Sequence, residues 1–424
     1  MVVVMILIFL GLLLLGVPIA FGTGIGTVVY LLSHKSLSLL VLAQRMWTSM
    51  DSFSMLAIPM FMLAGSLMNG GGITKRIVHL CDKLVGHITG SLGHVTILAS
   101  MLFASMSGSA SASCAAIGGM LIPSMKEKGY DPDYAAGVTA VASIMGPIIP
   151  PSIAFIIYSS MSGDSVGKLF MGGVIPGILI GLSMMVFAYL IAKRRRFPVE
   201  PRASWGQRGR ALVKSIPALL MPVIIMGGIM GGICTATEAG AVACAYGFVV
   251  GLVTKELDLK KLPGVLCDAA ETTAMVLMIM GTSQVFGWLL TMEKIPQKLA
   301  AAVQTITTDP TMVFALLMLI ILFLGCFMID AAVMMIMTPL MLPIVKAVGI
   351  DTVHFGVVIN MMAVAGGLTP PVGNMLYIAS NIAGISAMKT VKGMMPFLVA
   401  VFLVMALCVL LPQLTTFLPG LLVG

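Results

Sequence analysis

The sequence predicts an all-α polytopic membrane protein, an inverted repeat with two re-entrant helical hairpins and two broken helices. Three observations predict it. The 424 residues are 59% hydrophobic and 9% charged, whereas soluble domains carry about 25% charged residues. The apolar runs are continuous rather than alternating, and many reach the roughly 20 residues a helix needs to span a bilayer. Lipid offers exposed backbone no partner, so such runs are helices. Finally, one stretch occurs twice, 220 residues apart. Phe103, Pro123, Lys126, Gly129, Asp131, Gly146 and Pro150-Pro151 recur as Phe323, Pro343, Lys346, Gly349, Asp351, Gly366 and Pro370-Pro371. Twelve positions coincide between 94–160 and 314–380 without a gap. An apolar composition produces chance matches of Leu or Val, but not this register of Pro, Gly and Asp, so the stretch is a duplication.

In chain order, residues 2–32 are apolar and interrupted at Gly16-Val-Pro18, which predicts one long tilted helix or two short spans. The segment lacks a basic leader and a cleavage signature, so it reads as a retained span. Residues 36–70 predict a long helix broken near Asp51-Ser-Phe-Ser54 and stopped by Gly70-Gly-Gly72. Within 73–88, Ile73, Ile77, Leu80, Leu84 and Ile88 share one face and Lys75, Arg76, His79, Asp82 and Lys83 lie elsewhere, the pattern of an interfacial amphipathic helix. Residues 92–127 are too long for a plain span and are broken at Ser105–Ser113, predicting a hairpin with the serines at its tip. Residues 133–162 predict a helix unwound at 146–152, because proline removes a backbone hydrogen bond and clashes with the preceding turn. A span at 169–192 ends the first repeat, 1–192, and the basic segment 193–214 reads as a cytoplasmic loop. The second repeat, 215–424, follows the same plan. Spans at 215–232, 236–254 and 264–292 precede an amphipathic stretch at 294–306. A hairpin at 311–347, with its tip at Gly325–Asp330, leads to a broken helix at 352–383 and a last span at 393–415.

The formal net charge is +8. With 193–214 inside, 18 of the 24 Lys and Arg residues face the cytoplasm. Five (Lys35, Lys168, Lys294, Lys298, Lys346) face outward, and Arg45 falls within a membrane segment. This asymmetry follows the positive-inside rule. It places both termini outside and gives the two repeats opposite orientations. Because the basic residues sit in short loops between apolar runs, they do not imply a nucleic-acid partner. The seven cysteines show no CxxC spacing and read as core or packing residues.

Discontinuous helices in an inverted repeat are the plan of many secondary transporters. Unwound backbone presents carbonyl oxygens, which coordinate a hard cation such as Na+, and positive half-helix ends, which attract anions. One cation site is expected between the first tip (Ser105, Ser107, Gly108, Ser109) and Gly146, Ile149 and Pro150. Its counterpart lies between Gly325, Met328 and Asp330 and the residues Gly366, Thr369 and Pro370. The substrate belongs between the tips, near Ser107, Pro151, Asp330 and Asn374, with Arg45 a partner for a carboxylate. Each assignment has a structural alternative. Ser and Gly let membrane helices approach closely, Asp330 can cap a helix, and Arg45 can snorkel. Glu238 and Glu271 read as structural. His79, His87, His94 and His354 lie near helix ends and read as interfacial, with Trp47 and Trp288 as interface anchors. A serine hydrolase is disfavoured because a nucleophile needs a positioned base, and no histidine occupies the matching place in the second repeat.

Several motifs together carry a family resemblance. They are Gly16-Val-Pro18, Gln44-Arg45, Ala57-Ile-Pro-Met-Phe-Met-Leu-Ala-Gly65 with Gly71-Gly-Ile73, the Ser-Gly-Ser-Ala tip, Pro147-Ile-Ile-Pro-Pro-Ser152 and Gly366-Gly-Leu-Thr-Pro-Pro-Val-Gly-Asn374. Over essentially its whole length the chain resembles the large membrane subunit of tripartite ATP-independent periplasmic (TRAP) transporters. The resemblance implies a bacterial inner-membrane, elevator-type transporter, not an enzyme, that imports an organic acid with Na+. It implies two partners, a small four-helix membrane subunit and a soluble periplasmic substrate-binding protein. The chain starts at the large subunit's first segment, so the small subunit is expected as a separate chain. The plan is also similar to that of stand-alone divalent anion–sodium symporters, but their Asn-Thr tip pair is absent from both tips.

Overall fold

A computed structural model describes every residue except 35, 36, 71, 200, 256, 259, 261, 308, 371, 423 and 424, and the side chains at 69, 70, 304 and 306 are also left undescribed. The expectations placed on Lys35, Gly71, Lys261 and Pro371 therefore lie outside the described residues. The described residues form twenty α-helices and no strand.

Helices α1 (Val2–Leu14) and α2 (Ile19–Ser33) fold back on each other, Met5 facing Gly26 and Phe9 facing Gly22. This is an antiparallel pair of short helices, not one tilted helix: with 13 and 15 residues each reaches only about 20 Å at 1.5 Å per residue. Gly16, with φ +79°, and Pro18 make the turn. Helices α3 (Leu40–Met50) and α4 (Ala57–Gly70) are bent by 65° at the expected break. There Phe53 O accepts a hydrogen bond from Thr237 Oγ1 at 2.7 Å. Helix α5 (Ile73–Val85) buries Ile73, Ile77 and Leu80, but it ends before Ile88, and Leu84 is 40% exposed. The amphipathic face is thus shorter than its periodicity predicts.

Helices α6 (Ser91–Ser107) and α7 (Ala110–Glu127) form the first hairpin. The first broken helix is α8 (Pro132–Ala142), a 3-10 turn (Ser143–Met145) and α9 (Ile153–Ser162). Helix α10 (Val166–Arg195) and α11 (Trp205–Met230) consume most of the expected 193–214 loop, leaving 196–204. The reason is local. Ser204 and Gln207 form a capping box, Gln207 N donating to Ser204 Oγ at 3.3 Å and Ser204 N to Gln207 Oε1 at 2.9 Å. Basic residues also suit the C-terminal turn of α10. Then come α12 (Ala236–Val253), α13 (Leu262–Met292) and α14 (Ile295–Ile306). The second hairpin is α15 (Pro310–Gly325) and α16 (Asp330–Ala347), and the second broken helix is α17 (Thr352–Gly366) and α18 (Asn374–Ala383). Helix α19 (Ala387–Leu410) is followed by α20 (Gln413–Leu422), which lies mostly beyond 415, where the expected last span ended.

Among the described residues six helices are long and apolar enough to cross a membrane, or seven with the bent α3–α4 pair. Their outward faces are apolar, as with Leu182, Val186 and Leu190 on α10 and Leu403, Leu407 and Leu410 on α19. Element order repeats along the chain, and α7 and α16 lie 220 residues apart at both ends. The hairpins pack crosswise: α7 lies against α18, and α16 against α9. Helices α10, α19 and α20 pack with the hairpins and broken helices, while α1–α4 and α11–α13 form a second group. The groups meet directly where α13 packs on α16 and α4 on α6, and α5 and α14 also touch both, α5 packing on α6 and α11 and α14 on α16 and α13.

Candidate functional site between the hairpin tips

The first tip is two residues long because its sequence supplies both caps. Gly108, φ +59°, ends α6 and donates to Ala104 O at 3.1 Å. Ser109 starts α7, its Oγ accepting from Ala112 N at 3.4 Å. Ser107 Oγ lies 3.0 Å from the buried Ser113 Oγ, while Ser105 Oγ turns back to Leu102 O at 2.7 Å. The tip meets the broken-helix loop backbone to backbone. A Cβ on Gly108 would stand 3.0 Å from Pro151 O, and one on Gly146 would stand 2.6 Å from Ser109 O. Pro150 and Pro151, joined by a cis peptide bond, are buried behind this contact. Ile149 is directed at Gly177 of α10.

The second tip has no left-handed glycine. The chain turns through 326–329, and Asp330 falls in the first helical turn of α16, where a carboxylate meets the positive helix end. Gly366 packs on the Cα of Gly325, where its Cβ would stand at 2.5 Å. In the first repeat the corresponding glycine, Gly146, packs instead on Ser109 and Ala110, so the two contacts differ in register. Thr369 Oγ1 lies 2.7 Å from Gly366 O and 2.8 Å from Cys326 Sγ, and Val372 N donates to Cys326 O at 3.2 Å. Cys326 thus holds the loop to the tip, a role that sequence reading missed because a cysteine without spacing carries no signal. Met328 is buried, and Pro370 is exposed.

The two tips meet. Ser109, Ala110 and Ser111 share one small cavity of about 40 Å³ with Gly325, Met328, Ile329 and Asp330 and with Gly373 and Asn374. Its polar side chains are few (Ser109, Ser111, Asp330, Asn374) and its remaining walls are mostly apolar; as it stands it has room for an ion or a few waters and would have to widen to take an organic acid. No ion pair to Asp330 occurs among the described residues, and an unpaired acid among apolar groups favours a cation or proton. No cluster of three His, Cys, Asp or Glu that could hold a metal occurs among them either. Any cation here would rely on carbonyl and hydroxyl oxygens with Asp330, a set suited to Na+ rather than to zinc. On the far side of the first tip, Ser107, Ser109 and Ser111 also line a second cavity, against Met62, Gly65 and Ser66 of α4.

Arg45 is not brought to the tips. Its guanidinium stacks over Trp288 at 3.9 Å, in a wider cavity of about 800 Å³ lined also by Gln44, Thr48 and Gln284. That cavity shares no lining residue with the tip cavity. Two histidines read as interfacial are instead buried. His354 Nδ1 lies 2.7 Å from Thr415 Oγ1, beneath α20, and His94 is 3% exposed. Glu238 is structural, as expected, closing a capping box in which Thr235 N donates to its Oε2 at 2.8 Å. Glu271 is exposed on α13.

Comparison with known proteins places this arrangement. Residues 6–414 match the family described as "Tripartite ATP-independent periplasmic transporter, DctM component". The chain is 42% identical over 418 residues to the sialic acid TRAP transporter large permease protein SiaM of Vibrio cholerae, covering 98% of each chain. It is 39% identical over 414 residues to the 2,3-diketo-L-gulonate TRAP transporter large permease protein YiaN of Escherichia coli, covering 96% of this chain and 97% of that one. Identity is 35% over 437 residues with the C4-dicarboxylate TRAP transporter large permease protein DctM of Vibrio cholerae, covering 98% and 96%.

Proposed function

The chain belongs to the family of DctM components of tripartite ATP-independent periplasmic transporters, and on that premise we propose that it imports an organic acid with Na+ across the bacterial inner membrane. As a member of that family it is a membrane transport component and not an enzyme. The acid is delivered by a soluble periplasmic substrate-binding protein, and the chain works with a small four-helix membrane subunit. Both termini face the periplasm. The substrates named for the three relatives are all organic acids, and a carboxylate is their shared group.

The observation that carries the reading is the tip cavity, where Ser109 and Ser111 meet Asp330 and Asn374. Bound Na+ would supply positive charge beside the substrate carboxylate. Ser107, Ser109 and Asp330, with oxygens around Gly146, Ile149, Pro150, Gly325, Met328, Gly366, Thr369 and Pro370, are the groups proposed to hold it. Substrate would lie against Ser107, Pro151, Asp330 and Asn374, and Arg45, in a separate cavity over Trp288, is left out of this site. Cation and anion then bind together, because each offsets the cost of desolvating the other. The two packing groups support an elevator. The hairpins and broken helices, together with α10, α19 and α20, would move against α1–α4 and α11–α13, with α5 and α14 as connecting arms.

Uptake into proteoliposomes holding this chain and its small subunit, with candidate binding proteins supplied outside, tests the proposal. One binding protein should be required, and its acid should be transported. Equal uptake of free acid without any binding protein would contradict the tripartite reading and favour a stand-alone symporter.

A further inference from the structure

Pro147 sits in the break of the first broken helix, and its carbonyl is held from two sides. Ser152 Oγ donates to it at 2.5 Å from within the loop. Asn360 Nδ2 donates to it at 2.6 Å from α17, in the other repeat. Asn360 is fully buried, and its Oδ1 has no hydrogen-bond partner. Leaving one end of a buried amide unpaired is unfavourable, and an apolar side chain of the same shape would spare the fold that cost. The residue is therefore poorly explained by stability alone. Nor does the duplication explain it, since Ala140 occupies the position 220 residues earlier.

Helix α17 continues from Asn360 for six residues to Gly366, which packs on the Cα of Gly325 at the second tip. Every residue from Val353 to Gly366 is buried, so the helix is clamped along its length. One rigid element therefore grips the first loop at Asn360 and the second tip at Gly366. Pro147 O already accepts two short hydrogen bonds, so through its Nδ2 Asn360 acts on the loop's position.

We infer that Asn360 is a positioning residue that couples the two candidate cation sites through α17. This rests on the sodium-coupled reading above. A shift of the first loop on cation binding is passed to the second tip, and by linkage the second site affects the first equally.

The test uses the purified full chain for Tm, and for uptake proteoliposomes that also hold the small subunit with the cognate binding protein outside, each titrated with NaCl against choline chloride at constant ionic strength. Asn360→Leu removes both the donor and the unpaired oxygen, and Asn360→Ala serves if leucine does not fit. The readouts are the sodium dependence of Tm and of uptake. The parent should respond sigmoidally. In the variants the half-saturating sodium concentration should rise about fivefold, the scale of one neutral hydrogen bond. The Hill coefficient should fall toward one, while Tm in choline stays close to the parent value. An unchanged Hill coefficient and half-saturation, with only Tm in choline lowered, would show that Asn360 merely stabilises the fold. A parent that does not distinguish sodium from choline would overturn the sodium reading and this coupling with it.

Discussion

Glycines at the tips act by letting backbone reach backbone. A Cβ on Gly146 or Gly366 would stand 2.5–2.6 Å from main-chain atoms of the facing tip, and backbone cannot give way as a side chain can. Gly146→Ala and Gly366→Ala should each cost on the order of 1–3 kcal/mol, lower Tm by several degrees and abolish uptake. Gly119, on the exposed side of α7 with nothing within 4 Å, is the control. Gly119→Ala should leave uptake unchanged and raise Tm slightly, since alanine suits a helix interior by about 0.5–1 kcal/mol. Equal effects at all three positions would refute the close-approach argument. At this same scale the sequence was legible at Asp330, read as able to start a helix and found in the first turn of α16, whereas the cap at Ser109 and the left-handed turn at Gly108 emerge only from the structure. The sequence was silent on Asn360 and Cys326, whose roles arise from neighbours 213 and 43 residues away. It also grouped Arg45 with the substrate residues, because it showed a membrane-embedded charge but not the Trp288 ring that the charge lies on.

Elements were legible where a break has a cause in the chain. Pro150-Pro151 interrupts one helix, and the Ser-Gly-Ser tip separates α6 from α7. Helix ends that depend on caps read less well. The capping box at Ser204 and Gln207 turned much of an expected loop into helix, and α20 lies mostly beyond 415, where the expected last span ended. Glu238 lets this scale be tested. It closes a capping box at the start of α12, so Glu238→Ala should cost about 1 kcal/mol of stability and leave substrate affinity unaltered. A large loss of affinity at normal Tm would instead put Glu238 in the site. The ion pair between Arg195 and Asp131, at 2.8 Å, with Asp133 at 3.2 Å, ties α10 to the start of α8. It supports the view that α10 moves with the broken helix.

At the scale of the molecule, duplication and packing make separate statements. The sequence shows the repeat, and the packing shows that α10, α19 and α20 go with the hairpins and broken helices, so in the proposed elevator they would move together. A crosslink across the boundary should therefore stop transport. Gly287 of α13 and Pro339 of α16 are in contact there, with 3.3 Å from a Gly287 Cβ to the proline ring. In a background without native cysteines, Gly287→Cys with Pro339→Cys should lose uptake on oxidation and recover it on reduction. Ser183→Cys with Ala400→Cys joins α10 to α19, where Ser183 Oγ is 3.5 Å from Ala400 O, and should keep uptake in both states. The central claim, that the tip cavity couples Na+ to a carboxylate, is met most directly by uptake under an imposed sodium gradient. Parent and Asp330→Asn would be reconstituted with the small subunit and the cognate binding protein. Inward sodium should drive accumulation in the parent, potassium should not, and the variant should lose at least tenfold. Accumulation indifferent to sodium, or unaltered in Asp330→Asn, would contradict it.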